Sequence, residues 1–491
     1  MSKRLDRHLQ IFVASAVVLA VACSSGEENK VPNQTPVVQA VLATEVDPEA
    51  LLIAYTQDGY NPKRLNISLG QKVHFVNQSE VPLWPASNIH PTHEIYPEFD
   101  AKQVINPQEV WVFKFDELGF WRYHNHLKPE HGALIVVQGD ATALGTPEPL
   151  PLVDEGLVFP DPPSLSTTEF VNLFKDNEYL VKMTEKHGPA HLVHLLKEAE
   201  NHIDVDCHQR AHAVGNAAYR AFGAAAFALA SHECQAGAFH GATEGLFADR
   251  GTINLEADVR AICSSAQNNF FRHQCVHGVG HGLMAWTTYE IHDALPLCDR
   301  LETDDDKQSC YSGVYMENVV GGLSGLMGHT TQYLSDDPHF PCNVVATEYY
   351  APCYFYQTSH MIRVFNRDFE KVAIACEETS RLAQAYCFQS YGRDVGNATR
   401  GAPAQAIDLC SYAPQGIDRI NCIRGAAQDR FWEESSANEA LSLCHMLVDV
   451  FEKGGCYEII INRAKDLFPG AEGFETFCAQ VEKRWTVWCK R

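Results

Sequence analysis

Basic residues are scarce in this sequence of 491 residues: 38 Lys and Arg stand against 62 Asp and Glu, and the net charge at pH 7 is -24. Non-specific binding to nucleic acid needs a basic surface, so this charge excludes a nucleic-acid partner of that kind. Hydrophobic residues make up 45% of the chain, which is too large a fraction for a disordered protein. The length predicts about two to four folded domains.

Motifs for nucleotide cofactors and for serine hydrolases are missing as well. The sequence has no glycine loop of the phosphate-binding type and no Gly-x-Ser-x-Gly nucleophile elbow. The acidic run at 304–306 lacks the spacing of a calcium loop. We therefore expect no nucleotide cofactor.

Apolar runs long enough to span a membrane are missing after the N-terminus, where no stretch reaches about 18 residues. The N-terminus has Lys3, Arg4 and Arg7, followed by an apolar run at 11–22. This pattern is typical of a secretory signal peptide, which we place at 1–22. The mature protein is therefore expected outside the cytoplasm.

The signal ends in the sequence Leu-Ala-Val-Ala-Cys at 19–23. This resembles a bacterial lipobox, in which the cysteine is acylated, although the leucine lies one position farther from the cysteine than usual. The resemblance implies lipidation of Cys23, a lipidated tether at 23–36, and anchoring to the cell envelope on the outer-membrane or periplasmic side. An ordinary secretory signal with an incidental cysteine is the alternative.

Composition divides the remaining chain into three parts. Residues 139–166 contain six prolines and predict a stiff, extended linker. Before the linker, at 37–138, apolar and polar residues alternate in short runs separated by turn residues. This pattern predicts an antiparallel Greek-key β-sandwich. After the linker, residues 167–491 form a cysteine-rich α-helical repeat domain.

Three features of the β-domain resemble the cupredoxins: Asn77 after a strand, the loop at 85–93, and the segment at 119–132. The resemblance covers about residues 50–138 and implies the cupredoxin fold, with a metal held by side chains from two loops. Cupredoxins supply a cysteine ligand from the last loop, but this domain contains no cysteine. A blue copper site is therefore not expected.

The histidines of the cupredoxin-like domain remain as candidate metal ligands. Neutral imidazoles from two loops could hold Cu(II) or zinc in a non-blue site. The alternative is a sandwich that keeps the fold without the metal. The candidate ligands are His90, His93, His124, His126 and His131.

Cysteines are abundant: there are 17, and most of them recur as pairs with members 11 or 12 residues apart. The pairs repeat roughly every 34 to 44 residues, a period typical of helical hairpins stacked in a solenoid. We expect the first helix of each hairpin to end near the first cysteine, the second helix to begin near the second cysteine, and a disulfide to join them. In architecture this resembles the Sel1-like cysteine-rich repeat proteins. The expected disulfides join Cys263 to Cys275, Cys298 to Cys310, Cys342 to Cys353, Cys376 to Cys387, Cys410 to Cys422, Cys444 to Cys456, and Cys478 to Cys489.

Cys207 and Cys234 are left over and could form an eighth disulfide. They would lie too far apart if residues 207–229 formed one unbroken helix. A break at Gly215 or Gly223 would allow the bond.

Histidines concentrate in the first helices of the repeat domain, as two His-x3-His pairs and one His-x3-Glu pair. Residues i and i+4 of a helix face the same way, so each pair can hold a metal ion. Counted from the preceding cysteine, one histidine of each of two adjacent repeats has the same offset, and stacking would bring these helices together. The candidate ligands are His208, His212, His240, Glu244, His277 and His281.

An imidazole-rich ligand set suits copper, iron or zinc. We expect Glu244, or Glu317 from the next repeat, to act as a catalytic base. Glycines at 237, 241, 245, 278, 280 and 282 indicate either tight helix packing or close approach of a ligand. Two alternatives to a metal site remain open: buried histidines hydrogen-bonded to one another, and a polar groove that binds a protein.

The predicted function is that of an extracytoplasmic metal-binding protein. We expect a copper- or iron-dependent oxidoreductase, or an electron-transfer partner, with its His-rich site in the helical repeats and a redox or metal-donor protein as partner. The first alternative is non-catalytic metal binding or delivery at the envelope. The second is an interaction scaffold with a vestigial cupredoxin domain, because solenoids offer long concave surfaces.

Overall fold

A computed structural model describes residues 41–42, 51–88, 91, 93, 96–139, 150, 156–203, 205–264, 266, 268–321, 331–468 and 470–490. The predicted signal peptide, the predicted lipidation site Cys23, the tether up to residue 36 and His90 lie outside the described residues.

The N-terminal domain is a sandwich of two β-sheets. Its strands are β1 Val41–Leu42, β2 Leu51–Thr56, β3 Gly59–Asn61, β4 Arg64–Ser68, β5 Lys72–Asn77, β6 Pro85–Ser87, β7 Glu109–Lys114, β8 Gly119–Asn125 and β9 Lys128–Gln138. One sheet has the order β1-β7-β5-β2-β3 and the other has the order β4-β9-β8-β6. Val73, Phe75 and Trp111 from the alternating runs are buried in the core between the sheets.

The fold class predicted from the sequence is confirmed, with a difference in strand direction. Strand β2 pairs with β5 in parallel, and so does β4 with β9, whereas the other described pairs are antiparallel. Between β2 and β5 the chain crosses to the second sheet to form β4. Parallel neighbours need such a crossover because a tight hairpin can join only antiparallel strands.

The C-terminal region is helical. Its helices are α1 Thr167–Lys175, α2 Asn177–His187, α3 Pro189–Ala199, α4 Cys207–Phe222, α5 Ala226–Leu229, α6 Gly237–Arg250, α7 Leu255–Cys263, α8 Asn269–Trp286, α9 Ile291–Cys298, α10 Asp304–Met316, α11 Tyr350–Val364, α12 Phe369–Glu377, α13 Arg381–Ala398, α14 Pro403–Cys410, α15 Ile417–Asp429, α16 Ala437–Met446, α17 Val450–Leu467 and α18 Ala471–Ala479. Helices α4, α6, α8, α10, α11, α13, α15 and α17 pack side by side in chain order. Among the described helices, none is both long and apolar enough to cross a membrane.

Disulfides join the two arms of each hairpin, in the seven pairs predicted from the spacing. Cys207 and Cys234 are bonded as well, with their Cα atoms 5.5 Å apart. Helix α4 ends at Phe222, and Gly223 follows with a φ of +58°, a conformation that favours glycine. The chain therefore turns back at Gly223, the second of the two expected breaks.

Where a second α-helix is present, it begins three to six residues before its cysteine, earlier than the sequence predicted. Two hairpins differ from the expected pattern: Cys342 lies in a turn among the described residues, and Cys489 ends a 3-10 helix, Thr486–Cys489.

Helix α10 begins at Asp304, six residues before Cys310. The side chain of Thr303 caps it by accepting a hydrogen bond from the Asp306 backbone N–H. The positive end of the helix dipole stabilises the three acidic residues in the first turn, so the acidic run at 304–306 belongs to the helix.

The helical array curves until its last helices reach its first ones. Asn268, which caps α8, donates a hydrogen bond from Nδ2 to the Asp466 carbonyl oxygen on α17 at 2.9 Å. The Arg463 guanidinium of α17 lies 4.3 Å from the centre of the Phe270 ring of α8. The repeats therefore enclose a central space.

The sandwich packs against the turn between α8 and α9. Arg122 on β8 donates hydrogen bonds to the Thr288 carbonyl oxygen and to Glu290. Arg64 on β4 donates two hydrogen bonds to the Asp293 carboxylate. These contacts hold the sandwich next to α8.

Candidate metal centre

Histidines from three adjacent helices meet inside the helical domain. Helix α4 supplies two of them, α6 supplies one and α8 supplies two. All are buried, with exposed fractions between 1% and 5%. The histidines brought together are His208, His212, His240, His277 and His281.

Corresponding positions of the repeats lie side by side, as expected from the shared offset. His240 and His281 each follow a cysteine by six residues. Their rings are stacked, with centroids 4.3 Å apart and an interplanar angle of 8°. The His212 ring lies 5.0 Å from that of His240 and 5.3 Å from that of His281.

Glycines allow these helices to approach closely. A Cβ atom at Gly241 would lie 1.8 Å from the His212 carbonyl oxygen, and one at Gly280 would lie 2.2 Å from the Cys310 carbonyl oxygen. No side chain fits at these distances. Of the two reasons considered for the glycines, helix packing is therefore sufficient at these positions.

Carboxylates hold two of the rings by Nδ1. His212 Nδ1 lies 2.9 Å from Glu244 Oε1, and His281 Nδ1 lies 2.7 Å from Glu317 Oε2. A carboxylate only accepts, so each Nδ1 carries the hydrogen and each neutral ring has its lone pair on Nε2. Burial disfavours the charged ring of His212, but the hydrogen bond and charge of Glu244 outweigh it and raise the His212 pKa. At His281 burial dominates, and the pKa is lowered despite Glu317.

Oxygen acceptors fix two further rings in the same tautomer. His208 Nδ1 donates to the Cys234 carbonyl oxygen at 2.9 Å. His277 Nδ1 lies 2.7 Å from Ser312 Oγ, whose own hydrogen is donated to the Ser309 carbonyl oxygen. Ser312 Oγ therefore accepts from His277, and the lone pairs of both rings lie on Nε2.

The lone pairs of His277 and His281 face each other without a hydrogen between them. The Nε2 atoms of His277 and His281 are 3.1 Å apart. His240 Nδ1 lies 3.2 Å from His212 Nε2 and must donate to it. The Nε2 atoms of His208 and His240 are buried and have no hydrogen-bond partner among the described residues. Facing lone pairs repel one another unless a cation lies between them, so the donor set fits a metal ion.

Burial keeps several of these rings neutral. It lowers the pKa of His208 to about 4, with a smaller contribution from His212. Burial and the neighbouring histidines also lower the pKa of His240 and of His277 well below the ordinary value. Neutral imidazole is the form that binds a metal ion, so these rings need not lose a proton near pH 7.

The two glutamates occupy different positions relative to the possible ligand atoms. Ligand atoms within 4.8 Å of one another form three overlapping sets among the described residues of this domain. Glu317 belongs to one set, whereas Glu244 belongs to none. Glu244 contacts Nδ1 of His212, and the other ring nitrogen, Nε2, faces His240. The sets are His208 with His212 and His240, His240 with His277 and His281, and His212 with His281 and Glu317.

The segment after α10 positions Glu317. It is a π-helix, Glu317–Gly321, a feature often found at functional sites. A Cβ atom at Gly321 would lie 2.3 Å from Glu317 Oε1, so glycine leaves space for the carboxylate. Two side chains beside the cluster, Ser312 and Met316, were missed in the sequence. The offset from the cysteine could have found Met316, which follows Cys310 by six residues.

A second histidine cluster lies in the sandwich, where the ligand atoms of His93, His124 and His126 are within 4.8 Å of one another. His93 Nε2 lies 3.0 Å from His126 Nδ1, and His93 Nδ1 lies 2.9 Å from Asp100 Oδ2. His124 Nδ1 lies 2.9 Å from the side-chain oxygen of Asn88. The loop before β7 supplies His93, and the end of β8 with the turn after it supplies His124 and His126, so these candidate ligands come from the two segments that carry the resemblance.

His131 is not brought into this cluster. Its Nδ1 lies 3.0 Å from the Tyr55 hydroxyl, which accepts a hydrogen bond from Asn125 Nδ2. The side-chain oxygen of Asn125 accepts from the Trp84 and Leu127 backbone N–H groups. Asn125 therefore holds the loop together by hydrogen bonds, and the described cluster is made of imidazoles only.

A cavity of about 680 Å³ adjoins the helical cluster. Its volume lies in the range of small-molecule sites. Besides the Nε2 atoms of His208 and His240, three buried polar atoms on its wall have no partner among the described residues: Gln209 Oε1, Asp429 Oδ2 and Trp432 Nε1. The lining includes His208, Gln209, His240, His277, Met316, Tyr356, Arg393, Arg400, Asp429, Trp432 and Arg463.

Comparison with known proteins finds structural matches to the sandwich. No protein-family model and no curated protein sequence matches the chain. Solved structures of amicyanin match it, among them a methionine variant in the Cu(I) form and a proline variant in the reduced state. Each is 20% identical and covers 21% of this chain, with a TM-score of 0.19. The matches span 95% and 97% of the amicyanin chains, respectively. The fold assignment itself rests on the strand order.

Proposed function

We propose that this protein is an extracytoplasmic, copper-dependent oxidoreductase whose reaction centre is the helical histidine cluster. The observation that carries the proposal is the convergence of imidazole lone pairs, with His277 Nε2 and His281 Nε2 3.1 Å apart. Hydrogen bonds between the histidines alone would need a hydrogen at each contact, and the Nδ1 partners leave none for this one.

The metal would supply redox chemistry, and imidazole-rich sites suit copper and iron above the hard cations. The protein's own part is to hold the rings. Glu244 and Glu317 fix the tautomers of His212 and His281 and make their Nε2 atoms better donors. This contact favours a positioning role for both glutamates over the role of catalytic base.

The cavity is the proposed substrate site. It brings a ligand next to His208, His240 and His277 and offers unpartnered polar atoms on Asp429 and Trp432. Such a wall suits a small organic molecule with polar substituents. This enclosed arrangement favours an enzyme over a delivery protein, which would need its metal near the surface.

The sandwich is proposed to carry a second metal ion that exchanges electrons with the helical centre. Its ligands would be His93, His124 and His126. Strand β8 carries both His124 and Arg122, and Arg122 contacts the turn that follows α8. The metal ligands of one domain are thus fixed in position relative to the helix that supplies ligands in the other.

Eight disulfides indicate an oxidising compartment. We propose that Cys23 is lipidated and anchors the protein to the cell envelope, where a redox or metal-donor protein could reach the sandwich. Intact mass of the mature protein checks the anchor, because an acylated cysteine adds the mass of its lipid chains.

Elemental analysis of the full-length protein, loaded with copper, iron or zinc and then dialysed, tests the metal centre. We expect copper at two or more equivalents. The double variant His277→Ala with His281→Ala should lose at least one equivalent. The matched control is His191→Ala with His194→Ala, a pair on α3 outside the cluster.

The result decides between the functions. No retained metal in a folded, fully disulfide-bonded protein would overturn the proposal and favour an interaction scaffold. Retained copper with no oxidation of any of a panel of small reductants would favour metal storage or delivery. Equal loss in both double variants would show that the substitutions act through folding.

A further inference from the structure

Met316, the last residue of α10, places a thioether beside the histidine cluster. Its Sδ lies 3.2 Å from His277 Nε2. Methionine is scarce in this chain, with 7 residues in 491. Met316 packs partly against the hydrophobic core and also lines the central cavity, so its side chain reaches the proposed reaction centre.

Two imidazole nitrogens and one thioether sulfur lie close together here, and none of them carries a hydrogen that could form a hydrogen bond. The Nδ1–H groups of His277 and His281 are directed to Ser312 and Glu317. Both Nε2 atoms therefore present lone pairs, 3.1 Å from each other, and the His277 atom also faces the sulfur. A thioether sulfur has no hydrogen to donate. A cation between these atoms would stabilise the contact.

We propose that His277, His281 and Met316 form a binding site selective for Cu(I). The inference rests on the proposed function, because it names one ion of that metal centre. Thioether ligands select soft ions, and imidazole suits the first-row metals. Copper is the metal that both ligand types suit, and its monovalent form is the softer one.

The remaining imidazoles form a different site. His208, His212 and His240 offer nitrogen atoms only, all within 4.8 Å of one another. His240 lies between the two sites, because its ligand atom is also within 4.8 Å of those of His277 and His281. The cluster therefore consists of two adjacent sites, one with a soft sulfur ligand and one with nitrogen ligands only. The all-nitrogen site accepts the divalent ions that the thioether site disfavours.

Copper K-edge X-ray absorption tests the sulfur ligand directly. The full-length protein is loaded with Cu(I) under ascorbate, which leaves disulfides intact. The described part of the sandwich contains neither methionine nor cysteine, so sulfur scattering from copper reports on the helical domain. We expect a copper–sulfur contribution in the wild type that Met316→Leu removes.

Competition with a Cu(I) chelator gives the second readout. Leucine has a volume close to that of methionine and preserves the packing. Met316→Leu should weaken the binding of one Cu(I) by about tenfold or more while leaving zinc binding unchanged. Met361→Leu is the control, because Met361 is fully buried in α11 and does not line the cavity.

Met316→His tests the selectivity for Cu(I) by exchanging the soft ligand for a nitrogen ligand. A third imidazole in place of the thioether should increase the affinity for Zn²⁺ and Cu(II) relative to Cu(I). Wild-type protein that binds Cu(I) without sulfur scattering, with the same affinity in Met316→Leu, would overturn this site and leave the metal centre standing. Wild-type protein that binds no metal would overturn the metal centre itself.

Discussion

Hydrogen bonds at Nδ1 leave Nε2 as the coordinating atom of the proposed ligands. His281 donates from Nδ1 to Glu317 and keeps Nε2 for the cluster. His131 also has a partner at Nδ1, the Tyr55 hydroxyl, but it lies outside the described sandwich cluster. Position in the fold, and not closeness in the sequence to other histidines, therefore separates His131 from the candidate ligands.

Glu317→Gln should weaken metal binding in the helical centre by about 10- to 100-fold. Glutamine still accepts the hydrogen bond from His281, but it removes the negative charge that makes the ring a stronger donor. Equilibrium competition with a metal indicator measures the affinity. Glu256→Gln is the control, because Glu256 pairs with Arg300 near the surface. Equal affinity in the wild type and Glu317→Gln would contradict the positioning role.

Asp429 gives a prediction about pH. Burial raises its pKa to about 6, against the attraction of Arg400 and Arg393. The folded protein therefore holds this proton more tightly than the unfolded chain, whose aspartates titrate near about 3.9. The stabilisation is fully present below about pH 4 and is lost as the pH rises through about 6.

Asp429→Asn removes this titration. Relative to the wild type, the variant should become more stable by up to about 3 kcal/mol between pH 4 and pH 7, which corresponds to a shift of about two pKa units. Urea unfolding at the two pH values measures the difference. Asp304→Asn, with a side chain that is 99% exposed, should not change with pH in this way. A constant difference for Asp429→Asn would contradict the raised pKa.

Residue spacing predicted most of the helical cluster and missed two of its side chains. The i, i+4 rule selected both members of each histidine pair because it depends only on helix geometry. Ser312 and Met316 are also four residues apart on one helix, but neither residue type by itself indicates a metal site. They come next to His277 only because α10 packs beside α8, and this contact is set by tertiary structure.

At the scale of elements, cysteine spacing located the hairpins but not the start of their second helices. The disulfides fix where two helices come close, and that is what the period of about 34 residues reflects. The start of α10 is decided by the cap at Thr303 instead. The cap is a local signal, a threonine followed by acidic residues in the first helical turn, and it is independent of the cysteine spacing.

Glycines at helix crossings set how closely the ligand-bearing helices approach. Gly313→Ala would place a Cβ atom 1.9 Å from the His277 carbonyl oxygen. Helices α8 and α10 would have to separate, at a cost of about 1–3 kcal/mol or more. We expect a lower melting temperature and weaker metal retention, measured by calorimetry and elemental analysis.

Gly470→Ala is the matched control for Gly313→Ala. A Cβ atom at Gly470 meets nothing within 4 Å, and its φ of -94° suits alanine. Its effect on stability should stay within about 0.5 kcal/mol. If Gly313→Ala melts and retains metal like Gly470→Ala, close packing at this crossing does not hold the centre together.

At the scale of the whole molecule, the repeats enclose a cavity that the sequence did not predict. The period specifies neighbouring contacts, but curvature depends on small rotations between repeats that no motif records. In five of the repeats, the residue six positions after the cysteine nevertheless lines the cavity. These residues are His240, Met316, Ser359, Arg393 and Gln428. The same position therefore supplies candidate metal ligands in the early repeats and other parts of the cavity wall in the later ones.

Contacts between α17 and α8 close this array. The Arg463 guanidinium lies 4.3 Å from the Phe270 ring centre and 5.4 Å from that of Trp432. It also donates a hydrogen bond to the Phe431 carbonyl oxygen at 3.1 Å. Burial lowers the pKa of Arg463 to about 10, so the side chain stays charged at neutral pH. A charge in this position connects the last repeats to the helix that carries His277.

Arg463→Ala should therefore open the array without unfolding it. The loss of the ring contacts weakens the closure by about 2 kcal/mol, while disulfides and neighbouring helices still stabilise each hairpin. Hydrogen exchange should increase in α15 and α17 and at the start of α8, and remain unchanged in α4 and α6.

Arg484→Ala removes a similar contact with Trp485, at 4.9 Å, near the end of the described chain, and should affect only its own surroundings. Faster exchange throughout the helical domain would mean that the closure at Arg463 supports the whole fold, and unchanged exchange in α15, α17 and α8 would mean that other contacts close the array.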